Sequence, residues 1–290
     1  MTKRNAIIMA AGTSSRFVPL SAECPKGLIE VKGEVLIERQ IRQLQEAGID
    51  DIVVVVGYKA EMFAYLEVKY GVGIVLNKDF ARYNNTSSLI RVIDMLDNTF
   101  VCSSDNYFPK NVFVRESVYS YYSALYAEGK TEEYCLTVDS NDFISNVHIG
   151  GFDAWYMVGH AFFTHEFSEA FRKIMLDEYD HEDTKQGYWE DVYIRNISQL
   201  PSMKINRYKD GEILEFDSLD ELRMFDKTYC NNTRSSVVKH ISKHLGVPES
   251  NVYGFKNIKH PGNYLMFQFM VGDRTYVYNA GNNIVEIKQL

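Results

Sequence analysis

Short apolar runs alternate with amphipathic segments between residues 5 and 103, and few folds accommodate this pattern. The run Ala6-Ile7-Ile8-Met9 and the uninterrupted β-branched run at 52–56 are typical of parallel strands that are buried on both faces. Between them, apolar residues at helical spacing predict a helix over 35–47. A third buried run at 99–103 continues the β-α-β order. The sequence therefore predicts an α/β fold with a doubly wound, mostly parallel sheet.

The later part of the chain has a different pattern. Beyond residue 115 we predict a helix at 115–128, followed by further strands and helices. We place a main domain over residues 1–228 and a small α+β appendage over residues 229–290. The appendage has a predicted helix at 237–245 and three alternating strands, two of them joined by the turn Gly272-Asp273. Because so short a segment buries little apolar surface, we expect it to pack on the main body or to support a homodimer.

Composition excludes several classes of protein. A net charge of −8 and an isoelectric point near 5.4 argue against a nucleic-acid-binding protein, which would present a basic face. The four cysteines are widely spaced and form no C-x-x-C pair for zinc or redox chemistry. No apolar run approaches the ~20 residues that span a bilayer. We therefore expect a soluble, cytoplasmic protein with no membrane span and no nucleic-acid partner.

The loop at residues 9–26 follows the first predicted strand and combines small residues with two cations. Backbone amides around Gly12 can point at a phosphate chain. Arg16 and Lys26 can neutralise charge that moves between phosphates during a displacement reaction. A glycine alone would be explained by a tight turn between strand and helix, but the two cations favour a nucleoside triphosphate site.

Carboxylates at two distant positions suit a metal ion. Asp105 follows the strand at 99–103, and Glu190 and Asp191 start a predicted helix. Each has a structural alternative, because an aspartate can cap the next segment and acidic residues are common at helix N-termini. Together with a triphosphate, however, two carboxylate positions are what Mg²⁺ requires. We therefore predict Mg²⁺ as the cofactor.

Several motifs resemble a known family. Met9-Ala-Ala-Gly-Thr-Ser-Ser-Arg and Pro25-Lys26-Gly27-Leu28 resemble the signature of sugar-phosphate nucleotidyltransferases. Four further segments make the chain similar to the bacterial CTP:phosphocholine cytidylyltransferases: Val56-Gly57-Tyr58, the segment 83–89 (YNNTSSL), Ser104-Asp105-Asn106-Tyr107 and Tyr188-Trp189-Glu190-Asp191. The resemblance covers residue 5 to about residue 226 and implies a nucleotide-diphospho-sugar transferase-like, Rossmann-type fold. The chain departs from the family pattern at Ser14 and Ser103, where a glycine and an aspartate are usual, and at Gly27, which replaces an alanine.

The resemblance implies roles for particular residues. Arg16 and Lys26 would bind the triphosphate, and Asp105 would bind Mg²⁺ with Glu190, or alternatively Asp191, as the second carboxylate. The residues expected at the nucleotide are Ala10, Ala11, Gly12, Gly57, Tyr58, Asn84, Asn85 and Ser88. Those expected at a cationic headgroup, which aromatic faces bind, are Tyr107, Tyr134, Tyr188 and Trp189.

The implied activity is Mg²⁺-dependent transfer of CMP from CTP to phosphocholine, giving CDP-choline and pyrophosphate. Phosphoethanolamine or a sugar phosphate is an alternative acceptor, and a catalytically silent nucleotide-binding regulator is an alternative of another class. The segments 257–263 and 276–281 also resemble the start of a choline kinase small lobe, although the chain stops before any kinase catalytic loop.

Overall fold

The structure is a computed structural model that describes residues 3–114, 117–260, 265–279 and 284–287, with side chains up to residue 285. It divides into two compact units. The first comprises Met1–Gly12 and Leu36–Glu215, and the second comprises Thr13–Val35 and Phe216–Leu290. Each unit thus combines segments that are distant in sequence, and their division differs from the boundary expected after residue 228. The assignment of 1–228 and 229–290 as functional domains stays a prediction.

The elements are numbered in chain order. The strands are β1 (Asn5–Ala10), β2 (Glu30–Val31), β3 (Glu34–Val35), β4 (Asp51–Val56), β5 (Gly73–Leu76), β6 (Thr99–Ser103), β7 (Asn106–Tyr107), β8 (Tyr121–Val138), β9 (Ile144–Phe163), β10 (Lys204–Arg207), β11 (Leu214–Glu215), β12 (Tyr253–Asn257), β13 (Met266–Val271), β14 (Arg274–Asn279) and β15 (Ile284–Ile287). The α-helices are α1 (Leu20–Glu23), α2 (Leu36–Glu46), α3 (Tyr65–Tyr70), α4 (Thr86–Leu89), α5 (His165–Glu178), α6 (Glu182–Gln186), α7 (Trp189–Arg195), α8 (Leu219–Phe225), α9 (Thr228–Asn231) and α10 (Ser236–Leu245). Short 3-10 helices cover Ser15–Phe17, Lys26–Leu28, Ala60–Phe63, Ile90–Met95 and Glu249–Asn251.

The main sheet of the first unit has the strand order β10-β8-β9-β6-β1-β4-β5 among the described residues. Its members β6, β1, β4 and β5 run parallel to one another. Strand β9 is antiparallel to both β6 and β8, so the sheet is mixed. The predicted α/β fold with a doubly wound sheet is confirmed. Because β6, β1, β4 and β5 share a direction, the loops after them lie at one edge of the sheet, where such folds bind ligands.

The helix predicted at 115–128 is wrong. Residues 115 and 116 lie outside the described residues, and the rest of the segment leads into β8. β8 pairs with β9 on one side and β10 on the other, and this tertiary pairing outweighs the helical spacing of its side chains. The register between β8 and β9 shifts repeatedly, and Cys135 pairs with both His148 and Tyr156. The long hairpin therefore bends back on itself.

The second unit contains the antiparallel sheet β12-β13-β14-β15. Val271 pairs with Arg274, so the predicted Gly272-Asp273 turn joins two paired strands. Gly272 has a φ of 57°, which a two-residue hairpin turn requires and glycine adopts without strain. The predicted helix in this segment is also confirmed as α10, which ends at Gly246.

Two further expectations concern the kinase-like segments and membrane-spanning helices. Residues 261–263 and 280–281 of the kinase-like segments lie outside the described residues, so that resemblance stays a prediction. Within the described ranges, no helix has the length and apolar character needed to cross a membrane.

Candidate active site

The loops after β1 and β4 bring the first two groups of predicted nucleotide contacts together. Ala10 pairs with Val56 in the parallel ladder, and the backbone N–H of Tyr58 donates to the carbonyl of Ala11 at 3.1 Å. Gly57 has no room for a side chain, because a Cβ there would lie 2.9 Å from the Ala11 carbonyl oxygen and 2.6 Å from Phe80. These backbones are therefore held in close contact.

Gly12 lies at the same edge and faces open space. A Cβ added at this position would meet no atom within 4 Å. Neither a steric contact nor a positive φ explains glycine here. The open space is consistent with the close approach of a ligand to this backbone.

Internal hydrogen bonds stabilise the segment after β5. The side chain of Asn77 is almost completely buried, and its Nδ2 donates to the hydroxyls of Ser87 at 2.8 Å and Ser88 at 3.0 Å. Ser88 itself is buried. In this arrangement its hydroxyl supports the loop, rather than facing a nucleotide as the sequence analysis expected.

Asn85 links this loop to the N-terminus of α7. Its Oδ1 accepts from the backbone N–H of Trp189 at 2.7 Å, and its Nδ2 donates to Oε2 of Glu190 at 3.3 Å. The N–H of Asn84 donates to the carbonyl of Lys185 at 3.0 Å. Asn85 thus orients Glu190, a role that the sequence analysis did not foresee.

Glu190 and Asp191 have different environments although they are adjacent. Asp191 closes the helix N-terminus, because its Oδ2 accepts from the backbone N–H of Tyr188 at 2.7 Å in a capping box. Its Oδ1 accepts from the hydroxyl of Tyr134 at 2.9 Å. The carboxylate of Glu190 accepts from its own backbone N–H and from the hydroxyl of Tyr122, the latter at 2.9 Å. Burial raises the pKa of Glu190 to about 7, although the bonds from Tyr122 and Asn85 favour the carboxylate.

Glu190 makes the stability of the first unit depend on pH. In the unfolded chain this carboxyl loses its proton near its ordinary value of 4.5, but in the folded protein it does so near 7. Its contribution to the free energy of unfolding therefore falls as pH rises from about 4.5 to about 7 and is constant above that. We expect Glu190→Gln to gain about 3 kcal/mol over the wild type between pH 4.5 and pH 8. Urea unfolding without divalent cations measures this difference.

Glu178→Gln is the control, because the pKa of Glu178 is shifted in the opposite direction. Burial alone would raise the pKa of Glu178, but bonds from Arg195 and Asn196 outweigh it and lower the pKa below 4.5. Stability from this carboxylate is present at neutral pH and is lost on acidification. The Glu178→Gln variant should therefore be less stable than wild type at pH 7, with a smaller deficit at acidic pH. A pH-independent difference for Glu190→Gln would contradict the assigned pKa.

Two of the four residues predicted to contact a cationic headgroup have buried rings. The ring of Trp189 is 1% exposed and stacks on Tyr122 at 5.5 Å, with Phe163 and Phe171 against its edges. Tyr107 is 8% exposed, and the guanidinium of Arg39 lies 4.8 Å from its ring centre. Neither ring presents an open face to a ligand, so we correct both assignments: Trp189 is a core residue and Tyr107 a partner of Arg39.

Tyr134 and Tyr188 lie together at the N-terminus of α7. Their ring centres are 6.5 Å apart with an angle of 81° between the planes. Tyr188 is 45% exposed, and Tyr134 is anchored through its hydroxyl to Asp191. Two approximately perpendicular rings beside Glu190 and Asp191 form a cluster with the chemistry of a cation site.

The two predicted phosphate-binding cations lie in the second unit. Arg16 forms an ion pair with Asp217 at 2.9 Å, and Nζ of Lys26 lies 3.5 Å from the other oxygen of the same carboxylate. The side chain of Arg16 is 76% exposed, but that of Lys26 is 6% exposed. Ser14 before them has a φ of 47°, a conformation that glycine adopts more readily. The glycine usual in the family at this position thus has a conformational explanation.

Three residues of interest were missed by the sequence analysis. Asp217 contacts both cations, Tyr122 binds Glu190, and Asn106 is a buried amide with no hydrogen-bond partner for Nδ2 or Oδ1 among the described residues. Asn106 directly follows Asp105, a residue already noted, and Asp217 precedes the helix cap Ser218. No sequence signal distinguishes Tyr122 among twenty tyrosines.

The side chains present can be compared with the ligands that Mg²⁺ requires. In residues 3–114, 117–260, 265–279 and 284–287, no three His, Cys, Asp or Glu side chains form a group that could hold a metal ion. Mg²⁺ usually takes only one or two carboxylates and completes its shell with substrate phosphates and water. Two carboxylates, as predicted for Asp105 and Glu190, would meet this number, and their binding of one ion stays a prediction.

Comparison with known proteins defines the class. A family model described as the MobA-like NTP transferase domain matches residues 6–138. The solved structure of CTP:phosphocholine cytidylyltransferase from Streptococcus pneumoniae is similar with a TM-score of 0.74 and 33% identity, and covers 78% of this chain and 99% of that chain. The fold is thus that of a nucleotidyltransferase.

Proteins of similar sequence narrow the class of nucleotidyltransferase. A 2-aminoethylphosphonate cytidylyltransferase from Lancefieldella rimae is 35% identical, over 80% of this chain and 96% of the relative. A choline-phosphate cytidylyltransferase from Haemophilus influenzae is 28% identical, over 75% of this chain and 94% of the relative. The chain belongs to this family of bacterial cytidylyltransferases and is an enzyme of that type.

Proposed function

We propose that this enzyme transfers the cytidylyl group of CTP to a small phosphate-bearing substrate with a cationic amine, and that phosphocholine is the leading acceptor. The observation that carries the proposal is the cluster of Tyr134 and Tyr188 beside Glu190 and Asp191. A quaternary ammonium has no N–H donor, so aromatic faces and carboxylates are the groups that bind it. Names of the relatives in this family support the same substrate class.

In the proposed reaction, an oxygen of the acceptor's phosphate attacks the α-phosphorus of CTP. A new P–O bond forms, the bond from the α-phosphorus to the bridging oxygen breaks, and pyrophosphate leaves with that electron pair. With phosphocholine the product is CDP-choline. A phosphomonoester oxygen is largely ionised at neutral pH, so no general base is needed. The main task of the enzyme is to position two anions and to screen their charge.

Arg16 and Lys26 are proposed to bind the triphosphate and stabilise the leaving pyrophosphate. Their support is the shared contact with Asp217, which shows that both side chains converge on one anionic group. A phosphate would take the place of this carboxylate when CTP binds.

The nucleotide is proposed to lie against the backbone at Ala10, Ala11 and Gly12, with Gly57 and Tyr58 completing this wall. Asp105 and Glu190 are proposed to hold Mg²⁺, which supplies charge neutralisation at the phosphates. We prefer Glu190 to Asp191 because the carboxylate of Asp191 already closes the N-terminus of α7.

A second acceptor class is favoured by one observation. Burial of Trp189 removes the indole face that would bind trimethylammonium best. A primary ammonium depends less on aromatic faces, because its N–H groups donate to carboxylates such as Glu190 and Asp191. Phosphoethanolamine and 2-aminoethylphosphonate are therefore the alternative acceptors.

Pyrophosphate release with CTP and Mg²⁺ tests the proposal. Phosphocholine, phosphoethanolamine, 2-aminoethylphosphonate and glucose 1-phosphate are compared as acceptors, and UTP replaces CTP as a control. We expect turnover with CTP and at least one amine-bearing acceptor. Turnover with glucose 1-phosphate alone would contradict the proposed substrate class, and CTP binding without any turnover would indicate a silent regulator.

A further inference from the structure

The loop that carries Arg16 and Lys26 belongs structurally to the C-terminal part of the chain. Residues 13–35, here called the cation loop, form one compact unit with residues 216–290. This loop follows β1 directly in sequence, yet its contacts within the second unit come from residues more than 190 positions later. The segment from residue 216 onward, which includes the appendage at 229–290, therefore supplies the long-range contacts of this loop.

Glu23 of the cation loop caps α10 of the appendage. Its carboxylate accepts from the backbone N–H of Ser236 at 2.8 Å, the Ser236 hydroxyl at 2.7 Å and the N–H of Val237 at 3.3 Å, and from the Ser235 hydroxyl. The same hydroxyl of Ser235 accepts from the N–H of Val238 as the N-cap. Amides in the first turn of a helix have no intrahelical partner, so a carboxylate there is bound by both hydrogen bonds and the helix dipole.

The charge of Glu23 is secured by these contacts. Burial alone would raise the pKa of this carboxyl, but the hydrogen bonds from Ser235, Ser236 and Val237 outweigh it, and the pKa lies below its ordinary value. Glu23 therefore remains an anion at neutral pH and holds the cap in its strong, charge-assisted form.

A second set of contacts holds the end of the cation loop. The hydroxyl of Tyr229 donates to the carbonyl of Glu30 at 2.6 Å, and Arg234 forms an ion pair with the Glu30 carboxylate at 3.1 Å. The N–H of Lys32 donates to Asp226 at 2.8 Å. Lys26 lies between Glu23 and Glu30 in sequence, so both sides of it are held by the same C-terminal segment.

We propose that the appendage at 229–290 is a positioning module for triphosphate binding, and that Glu23 is its main positioning residue. The proposal rests on the proposed roles of Arg16 and Lys26. It gives the appendage a function in this enzyme that needs no kinase activity. The relatives in this family match only about four-fifths of this chain.

Kinetics of Glu23 variants test the proposal. Glu23→Ala removes every bond to α10, and Glu23→Gln keeps one accepting oxygen. We expect kcat/KM for CTP to fall about ten- to hundred-fold for Glu23→Ala and less for Glu23→Gln, with KM for the acceptor unchanged. Ser242→Ala is the matched control, because it removes a hydroxyl bond to the Val247 carbonyl at the other end of α10. This variant should lower thermal stability and leave kcat/KM for CTP at the wild-type value.

Trypsin cleavage after Lys26 gives a readout that does not depend on turnover. The side chain of Lys26 is 6% exposed, so the Lys26–Gly27 bond should resist trypsin in the wild type and in Ser242→Ala. Mass spectrometry should detect cleavage there at least about ten times faster in Glu23→Ala. Unchanged cleavage would overturn the proposal, and so would faster cleavage with unchanged kcat/KM for CTP. If the wild type turns over no acceptor, the proposed function fails, and cleavage alone still decides whether Glu23 holds the loop.

Discussion

Replacing Lys26 by alanine is expected to lower kcat/KM for CTP by about 10²–10³-fold, the cost of removing one fixed donor from a developing anionic charge. Nζ of Lys26 lies 3.5 Å from Asp217 and 5.9 Å from the ring centre of Phe17. The ammonium is therefore held in one place, and in the proposed role its catalytic benefit would come from this preorganisation. Pyrophosphate release measured against CTP concentration at saturating acceptor gives the loss.

Arg16→Ala separates the loss of catalysis from the loss of thermal stability. Arg16 contacts the same carboxylate but is 76% exposed, so its removal should lower kcat/KM while leaving the melting temperature unchanged. Lys26→Ala should lower both, because a buried side chain and its contact with Asp217 are lost together. A Lys26→Ala variant that keeps kcat/KM within a few-fold of the wild type would exclude the proposed role.

The parallel part of the fold could be predicted because local and tertiary signals agree there. The run at 52–56 is β-branched throughout, and as β4 it is the neighbour of both β1 and β5. The loops after these strands could thus be placed at one edge from the sequence alone. The segment 115–128 failed because side-chain spacing carries no information about a partner strand that lies some forty residues away.

The sequence predicts residue types for the candidate site but not the contacts that those residues make. Trp189 was expected at a ligand because tryptophan binds cations well, yet the ring lies against Tyr122 and Phe163 in the core. A helix N-terminus exposes some side chains and buries their neighbours, and only the packing of α7 decides which. Asn85 likewise has the chemistry to bind a nucleotide, but its amide bonds α7 instead.

The cation loop shows a further limit of sequence reasoning. Its motif is local, from residue 9 to residue 26, and this allowed triphosphate binding to be predicted for Arg16 and Lys26. The hydrogen bonds that hold this loop are not local, since Glu23 accepts from Ser235 and Ser236. Contacts between segments so far apart leave no periodic pattern in a single sequence, so the appendage appeared separable.

Asp105 is the residue whose replacement should cost most in the first unit. It follows β6 at the edge where β1 and β4 also end, and Asp105→Asn keeps its shape while removing its charge. We expect kcat/KM to fall about a thousandfold or more, since several kcal/mol of transition-state stabilisation depend on the metal-bound phosphates. Pyrophosphate release over a range of Mg²⁺ concentrations measures both the loss and its dependence on the metal.

Asp97→Asn is the matched control, because Asp97 precedes the opposite end of β6 and its carboxylate pairs with His165. Asp97→Asn removes the same charge next to the same strand but at the far edge of the sheet, so its kcat/KM should stay at the wild-type value. A metal role for Asp105 further requires that higher Mg²⁺ recovers part of the lost rate. If Asp105→Asn instead keeps more than about a tenth of the rate at every Mg²⁺ concentration, the carboxylate does not hold the ion and Asp105 is a cap for the turn after β6.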